Sequence, residues 1–281
     1  MWNSLRGEMA LKTFLSAMLL VAFPTSTRAE GPSIANPVFQ DGEWLRYKVK
    51  YGPFRLGSIE FHVQKLEDTK SQDRYRIDMV LDFRSSPFPG PRYEVNSNIV
   101  HPERLYSEVF ISSRVADGDS IRTTRRYDLN RGTCFIEDYN RTKRKVISST
   151  VLQGVGECFE APSLWFFARS HAQTGGTYGI QNIVDTTVSV TTLRYKRVLS
   201  LLKIDAYEDP VRAREVTGVA NWVGESFGGL SGEFRGWFSD DEASVPLRAH
   251  FKIFLGNVVL KLEEWHRPGW NPPVEHRTVS R

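Results

Sequence analysis

The sequence is poor in the residues that usually carry metal, redox or nucleophilic chemistry. Its two cysteines, Cys134 and Cys158, fit neither a CxxC redox motif nor a zinc site, and its six histidines form no HExxH or HxH pair. The segment GESFG at 224–228 matches G-x-S-x-G in letters, but it connects two predicted strands and does not open a helix, so it is not read as a nucleophile elbow; a P-loop is absent. We therefore predict no catalytic residue, no metal site and no cofactor, and we do not expect an enzyme.

Long apolar runs are missing as well. The apolar stretch at residues 14–23 is too short to cross a bilayer, which takes roughly 20 residues in a helix. Basic residues precede it and the small-residue segment TRA at 27–29 follows, an order typical of a secretory signal peptide. We predict translation from Met1 or Met9, cleavage after Ala29, and a soluble periplasmic protein with no transmembrane segment.

An even number of cysteines in an exported chain favours a disulfide, because disulfides form and persist in oxidising compartments. Cys134 and Cys158 are therefore predicted to form one disulfide, worth roughly 3 kcal/mol by loop closure. Two unpaired thiols are the alternative. Neither cysteine follows the predicted cleavage point, so we expect no lipid attachment there.

The sequence also has no large excess of charge of either sign. The formal net charge is +4, and three of the basic side chains lie within residues 1–29, so we expect no nucleic-acid partner. One local excess of eight basic over three acidic side chains stands between residues 121 and 146. It is interpreted as the solvated faces of two strands or, alternatively, as a face for acidic partners such as anionic lipid head groups. The basic residues are Arg122, Arg125, Arg126, Arg131, Arg141, Lys143, Arg144 and Lys145.

Alternation of apolar and polar residues recurs along the chain and predicts half-buried strands. Leu45, Tyr47 and Val49, for example, alternate with basic residues. Turn residues separate such segments at short intervals without long helical patterns between them, which favours antiparallel pairing. We predict a linker at 30–41, a single β-domain at 42–267 and a disordered tail at 268–281.

One helix is predicted at residues 161–171, with a proline in its first turn and two glycines after its end. It carries three consecutive aromatic residues, which cannot all face one side. Either the helix fills the interior of the sheet, or it covers an apolar cavity. Arg125 shares the apolar side of its strand and needs either an anionic partner or a wet cavity there; the partner can be a ligand or an internal carboxylate. The candidate ligand-binding residues are Arg125, Tyr127, Trp165, Phe166 and Phe167.

Three segments resemble a bacterial family of exported proteins, domain of unknown function 3108. GEWLRYKVKY at 42–51 is similar to that family's opening G-E-x-L-x-Y-x-V-x-Y strand. APSLWFFAR at 161–169 resembles its D-x-L-S-x-L-Y-x-x-R helix, with the leading acid displaced to Glu160. GWFSDD at 236–241 with VPL at 245–247 is similar to its W-x-S-x-D…V-P hairpin. The resemblance implies a common fold, a curved sheet of the kind that periplasmic lipoprotein carriers use, and no assigned catalytic residues.

The expected fold is all-β: a large antiparallel curled sheet, a partial or closed barrel, with one short helix packed on it. Such a curved sheet has a concave apolar interior. We therefore expect a non-enzymatic binder or carrier of an amphipathic or anionic lipid-like ligand. The alternative is a structural or scaffolding protein of the cell envelope that contacts other envelope proteins.

Overall fold

The computed structural model describes residues 37–67, 74–84, 92–99, 104–116, 118–221, 232–252 and 256–275. The predicted signal peptide and most of the predicted linker lie outside these residues. One helix and fifteen strands stand in the described part of the chain. They are β1 (Trp44–Tyr51), β2 (Phe54–Leu66), β3 (Arg74–Asp82), β4 (Arg92–Ile99), β5 (Ser107–Ala116), β6 (Asp119–Asp128), β7 (Thr133–Asn140), β8 (Lys145–Gln153), β9 (Cys158–Phe159), α1 (Ala161–Ser170), β10 (Gly176–Val184), β11 (Thr187–Leu202), β12 (Val211–Ala220), β13 (Gly232–Ser239), β14 (Pro246–Lys252) and β15 (Asn257–His266).

All of these strands belong to one sheet, in the order β8-β7-β6-β5-β4-β3-β2-β1-β15-β14-β13-β12-β11-β10-β9. Neighbouring strands are antiparallel except β9 and β10, which are parallel. The pairing of β1 with β15 joins the first half of the chain to the second. The predicted fold class, a large curled sheet with one helix, is confirmed, and the sheet is not closed by a β8–β9 pairing among the described residues.

The alternating sequence pattern produces one buried and one exposed face. In β1, Leu45, Tyr47 and Val49 are almost completely buried, and across the β1–β15 pair Val49 lies opposite Leu260. Full burial of a large apolar side chain is worth about 1.5–3 kcal/mol. The repeated inward row therefore fixes the register of the sheet, because a one-residue slip would expose it.

Helix α1 packs inside the curved sheet. Pro162 occupies its first turn, and the Ser163 hydroxyl accepts the backbone N–H of Glu160, the N-cap residue, at 2.9 Å. Phe166 is buried and stacks on Phe39 at 4.7 Å between ring centroids. Trp165 stacks on Phe61 at 4.8 Å. These contacts fill much of the sheet interior.

The two ends of the open sheet approach each other through side chains. Arg125 of β6 donates to the backbone oxygen of Asp185, at the turn after β10, at 3.1 Å. The backbone N–H of Val155, just after β8, donates to the oxygen of Gly132, just before β7, at 2.9 Å and so continues the β7–β8 pair. The Arg125 contact shows that the curl brings β6 against the turn after β10.

The cysteines and the C-terminal segment differ from prediction. Cys134 and Cys158 are free thiols, not a disulfide, although both are buried in one small apolar cluster with Ile136. Burial raises the pKa of each thiol to about 11. Residues 268–275, predicted to be part of a disordered tail, follow the sheet instead, and Val274 forms a β-bridge with Val211. Residues 276–281 lie outside the described part.

Candidate functional site

A cavity of about 330 Å³ lies between the concave face of strands β3–β8 and the start of α1. The pairing register explains its wall, because Leu81, Tyr93, Arg114 and Ile121 stand opposite one another on successive strands. Apolar side chains make up most of the wall, and polar side chains gather where β6 meets the β9–α1 connection. The apolar residues include Met79, Leu81, Tyr93, Val95, Phe110, Ile121, Ile147, Phe159, Ile183 and Val184.

Arg125 is the central polar group of this cavity. Its side chain is 4% exposed, and its guanidinium lies over the ring of Phe110 at 5.0 Å from the centroid. One nitrogen donates to Asp185 as described above, while Nε is buried and has no hydrogen-bond partner among the described residues. Arg125 also forms no ion pair with a carboxylate of those residues. Burying such an unpaired charge is costly unless an anion or water completes the site.

Glu160 is the titratable group nearest to this arginine in the β9–α1 connection. It is 3% exposed, and the Tyr127 hydroxyl donates a hydrogen bond to its Oε1. Desolvation raises the pKa of Glu160 to about 8, although Arg125 and the Ser107 hydroxyl act in the opposite direction. With its pKa raised in this way, Glu160 offsets the charge of Arg125 less than an ordinary carboxylate would.

Asn182 completes the polar end of the cavity. Its amide nitrogen donates to the Phe159 oxygen at 2.9 Å, while its Oδ1 is buried without a hydrogen-bond partner. Asp138, also in the wall, already accepts from Thr123 at 2.6 Å and from Ser148 at 2.7 Å. Three residues at this end of the cavity therefore carry a buried polar atom without a partner, Arg125, Glu160 and Asn182, and hydrogen bonding to a ligand or to water would restore lost solvation.

The structure distributes the sequence-predicted ligand residues between the cavity and the core. Arg125 lines the cavity, and Tyr127 holds Glu160 beside it. The helix aromatics pack elsewhere: Trp165 on Phe61, Phe166 on Phe39, and Phe167 on His171 at 4.1 Å between ring centroids. The cavity therefore meets α1 at its N-terminus rather than at its aromatic residues.

A second polar cluster fixes the other end of α1. Arg169 is fully buried and binds both carboxylate oxygens of Glu43, through Nη1 at 2.5 Å and Nη2 at 3.1 Å. Arg267 binds the same carboxylate and donates to the oxygen of Val38 at 3.4 Å. This network connects the helix to the residue before β1 and to the segment after β15. Removal of the Glu43 carboxylate or of either arginine would leave a buried charge without its full set of partners.

The hairpin before β14 joins this network. Arg169 Nη2 donates to the oxygen of Ala243 at 3.0 Å, and the Tyr47 hydroxyl donates to the oxygen of Pro246 at 2.9 Å. Asp241 accepts from Ser239 at 2.9 Å within the same turn. In this chain the three segments that carry the sequence resemblance therefore meet at one place and hold the helix in the sheet.

The sequence pattern does not single out Glu160 or Asn182 as site residues. Glu160 stands at a helix start, where an acid is an ordinary N-cap, and Asn182 lies within a strand. Only the curl of the sheet brings both into the wall of the same cavity as Arg125. Within the described ranges, no cluster of three or more His, Cys, Asp or Glu side chains is arranged to hold a metal ion, and no helix there is both long and apolar enough to span a membrane.

Comparison with known proteins places these features in a family. No curated protein matches the sequence. Among solved structures, the β-barrel-like protein of domain of unknown function DUF1849 from Brucella abortus is 11% identical, with 79% of this chain and 96% of that chain covered and a TM-score of 0.46. A Bacteroides fragilis protein described as exported, with a YmcC-like fold, is 8% identical, with 82% and 97% covered and a TM-score of 0.34. The family model described as "Protein of unknown function (DUF3108)" matches residues 46–263, so the chain belongs to the DUF3108 family.

Proposed function

We propose that this protein is a periplasmic, non-enzymatic binder or carrier of a small anionic amphipathic ligand, which occupies the cavity beside α1. The observation that carries the proposal is the buried guanidinium of Arg125, which faces the cavity without a carboxylate partner. An anionic ligand group would supply the missing charge, and a charge-assisted hydrogen bond of this kind is stronger than a neutral one.

The distribution of polarity in the cavity supports an amphipathic ligand. The wall formed by Met79, Leu81 and Val95 is apolar, while Arg125 and Asn182 provide polar groups at one end. Ligand sites of this type combine an apolar lining with a few polar groups that fix orientation. A ligand bound here would place its anionic group at Arg125 and its hydrocarbon part against the apolar wall.

The volume limits the size of the ligand. A cavity of about 330 Å³ holds on the order of ten non-hydrogen atoms, if each takes roughly the 30 Å³ of a liquid water molecule. That is enough for a medium-length alkyl chain with one head group. It is too small for an entire two-chain phospholipid, so we propose a single-chain ligand or one chain of a larger one.

Export is part of the same proposal. The order of basic, apolar and small residues within 1–29 supports cleavage after Ala29 and release into the periplasm. N-terminal sequencing of the mature protein from a periplasmic fraction tests this location. A mature chain that begins at Glu30 is expected, whereas an uncleaved chain in the cytoplasm would contradict it.

A scaffolding role is the second candidate, favoured by an apolar patch on the long strand β11. Val198, Leu199 and Leu201 are 67%, 50% and 57% exposed, and exposed apolar clusters of this kind often contact other proteins. Cross-linking in cells with Leu201→Ser separates the two roles. Loss of a cross-linked envelope protein, with ligand binding unchanged, would favour scaffolding.

Titration calorimetry with decanoate and with decanol tests the binding proposal. The two probes share an alkyl chain, but only decanoate carries a negative charge at pH 7.5. The intact protein is expected to prefer decanoate by at least tenfold, since hydrogen bonds to charged groups contribute about 1.5–3 kcal/mol. Arg125→Gln is expected to abolish this preference while decanol binding persists.

Arg126→Gln is the matched control, because Arg126 is adjacent in sequence and exposed. It removes the same charge and is expected to keep the decanoate preference. Equal binding of both probes by the intact protein, or an unchanged preference in Arg125→Gln, would contradict the proposal. Persistent decanol binding in the Arg125 variant shows that its cavity is still folded.

A further inference from the structure

The turn between β7 and β8 presents an uncompensated basic surface. Residues 141–145 are exposed, and among them Lys143 pairs with Asp119 at 2.8 Å. Arg141, Arg144 and Lys145 form no ion pair with a carboxylate of the described residues. We call these three residues the basic turn. Since surface cations are normally interspersed with acids, three unpaired ones at a hairpin tip form a local positive field.

Exposed apolar side chains follow the basic turn directly. Val146 and Ile147 are each 51% exposed at the beginning of β8. β8 is also the last strand of the sheet on this side, with a neighbour only at β7. Cations next to exposed aliphatic side chains match the chemistry of a membrane surface, where anionic head groups lie above the acyl chains.

The basic turn lies at the same end of the sheet as one border of the cavity. Ile147, two residues after the turn, is part of the cavity wall. Asn140, just before the turn, pairs with Ile121, and Ile121 pairs with Arg114. Both Ile121 and Arg114 line the cavity. A surface that contacts the turn would therefore also lie near this border of the cavity.

We propose that the basic turn, with Val146 and Ile147, docks this protein onto an anionic phospholipid bilayer. The cations of the basic turn attract the anionic head groups of such a bilayer. The two aliphatic side chains favour a lipid surface over a purely polar one. A basic residue close to such a surface strengthens binding roughly fivefold, so three together contribute on the order of 100-fold. Binding should weaken with salt, because screening shortens the range of the attraction.

Apart from Ile147, which also lines the cavity, this inference uses residues outside the proposed Arg125 site. Docking would bring the cavity next to a source of single-chain amphiphiles. The two proposals can therefore fail separately. Arg125→Gln is expected to lose the decanoate preference and to keep membrane binding. The variants of the basic turn are expected to do the reverse.

Vesicle co-sedimentation tests the docking proposal. The mature protein is mixed with vesicles of phosphatidylcholine alone or with vesicles that also contain about 30 mol% phosphatidylglycerol. The salt concentration is about 0.1 M, at which the Debye length is about 10 Å. We expect it to pellet with the anionic vesicles only. Arg141→Gln, Arg144→Gln and Lys145→Gln combined should lower the partition coefficient at least tenfold, and Val146→Ser should lower it further.

A control variant removes three exposed basic residues that have no exposed apolar neighbour in the described sequence, Lys65→Gln, Arg104→Gln and Arg212→Gln combined, which changes the net charge equally. It is expected to retain most of the binding. Equal losses in the two triple variants would overturn the proposal, because net charge alone would then explain the attraction. Failure of the intact protein to pellet with anionic vesicles, or equal pelleting with neutral ones, would overturn it as well.

Discussion

Glu160→Gln tests whether the carboxyl beside Arg125 is neutral in the folded protein. Burial raises the pKa of Glu160 from 4.5 to about 8, and unfolding exposes the group and restores its ordinary value. Between these two pH values the folded state therefore holds a proton that the unfolded state releases. The stabilising contribution is full below pH 4.5, declines as the pH rises, and is lost near pH 8.

The magnitude follows from the interval that separates pH 4.5 from pH 7. One pH unit of unequal proton binding corresponds to about 1.36 kcal/mol, so stability from this group falls by about 3 kcal/mol over the interval. Glutamine has nearly the same shape, and its amide oxygen still accepts a hydrogen bond from Tyr127, but it does not titrate. The stability of Glu160→Gln minus that of the unaltered protein should therefore rise by about 3 kcal/mol from pH 4.5 to pH 7.

Urea denaturation at a series of pH values, followed by tryptophan fluorescence, measures this difference. All other titrating groups are shared by the two proteins, so their contributions cancel in the subtraction. Glu242→Gln provides the control, because Glu242 is exposed and the difference for it should be flat. A flat difference for Glu160→Gln as well would show that its carboxyl ionises normally, which would refute the reasoning.

Two substitutions and one labelling experiment test the packing of the fold. Glu43→Gln removes the shared carboxylate from two buried arginines and should lower the unfolding free energy by about 3–5 kcal/mol in urea titration; a loss under 1 kcal/mol would contradict the network. Gly218→Ala would place a Cβ 2.3 Å from the Phe234 ring and should lower the free energy of unfolding by about 1–3 kcal/mol. Gly179→Ala is the control, because its Cβ would lie 3.8 Å from the nearest neighbouring atom. Equal thermal stabilities of the two variants would refute this. Cys134 and Cys158, with pKa raised to about 11, should resist iodoacetamide at pH 8 until urea is added, as mass spectrometry would show; rapid native labelling would contradict their burial.

The sheet and the helix follow from local sequence patterns. Alternation in segments such as Leu45 to Val49 requires a strand with one buried face, and Pro162 with the following apolar residues specifies a helix start. Both are properties of neighbouring residues. The strands and the position of α1 could therefore be predicted without knowledge of the curvature of the sheet.

The candidate site could be predicted only in part, because it depends on that curvature. Arg125 is recognisable in the sequence as an arginine on the apolar side of a strand. Its contact with Asp185, 60 residues later, and its proximity to Glu160 arise only when the two ends of the sheet approach each other. Likewise, cysteine number alone does not reveal whether Cys134 and Cys158 have the geometry a disulfide needs.

The position of a bound ligand in a crystal structure of the protein with decanoate is the most direct test of the central claim. We expect the carboxylate to lie within hydrogen-bond distance of the Arg125 guanidinium, with the alkyl chain along Met79, Leu81 and Val95. A cavity that stays free of decanoate at saturating concentration, or a ligand with its alkyl end at Arg125, would contradict the account.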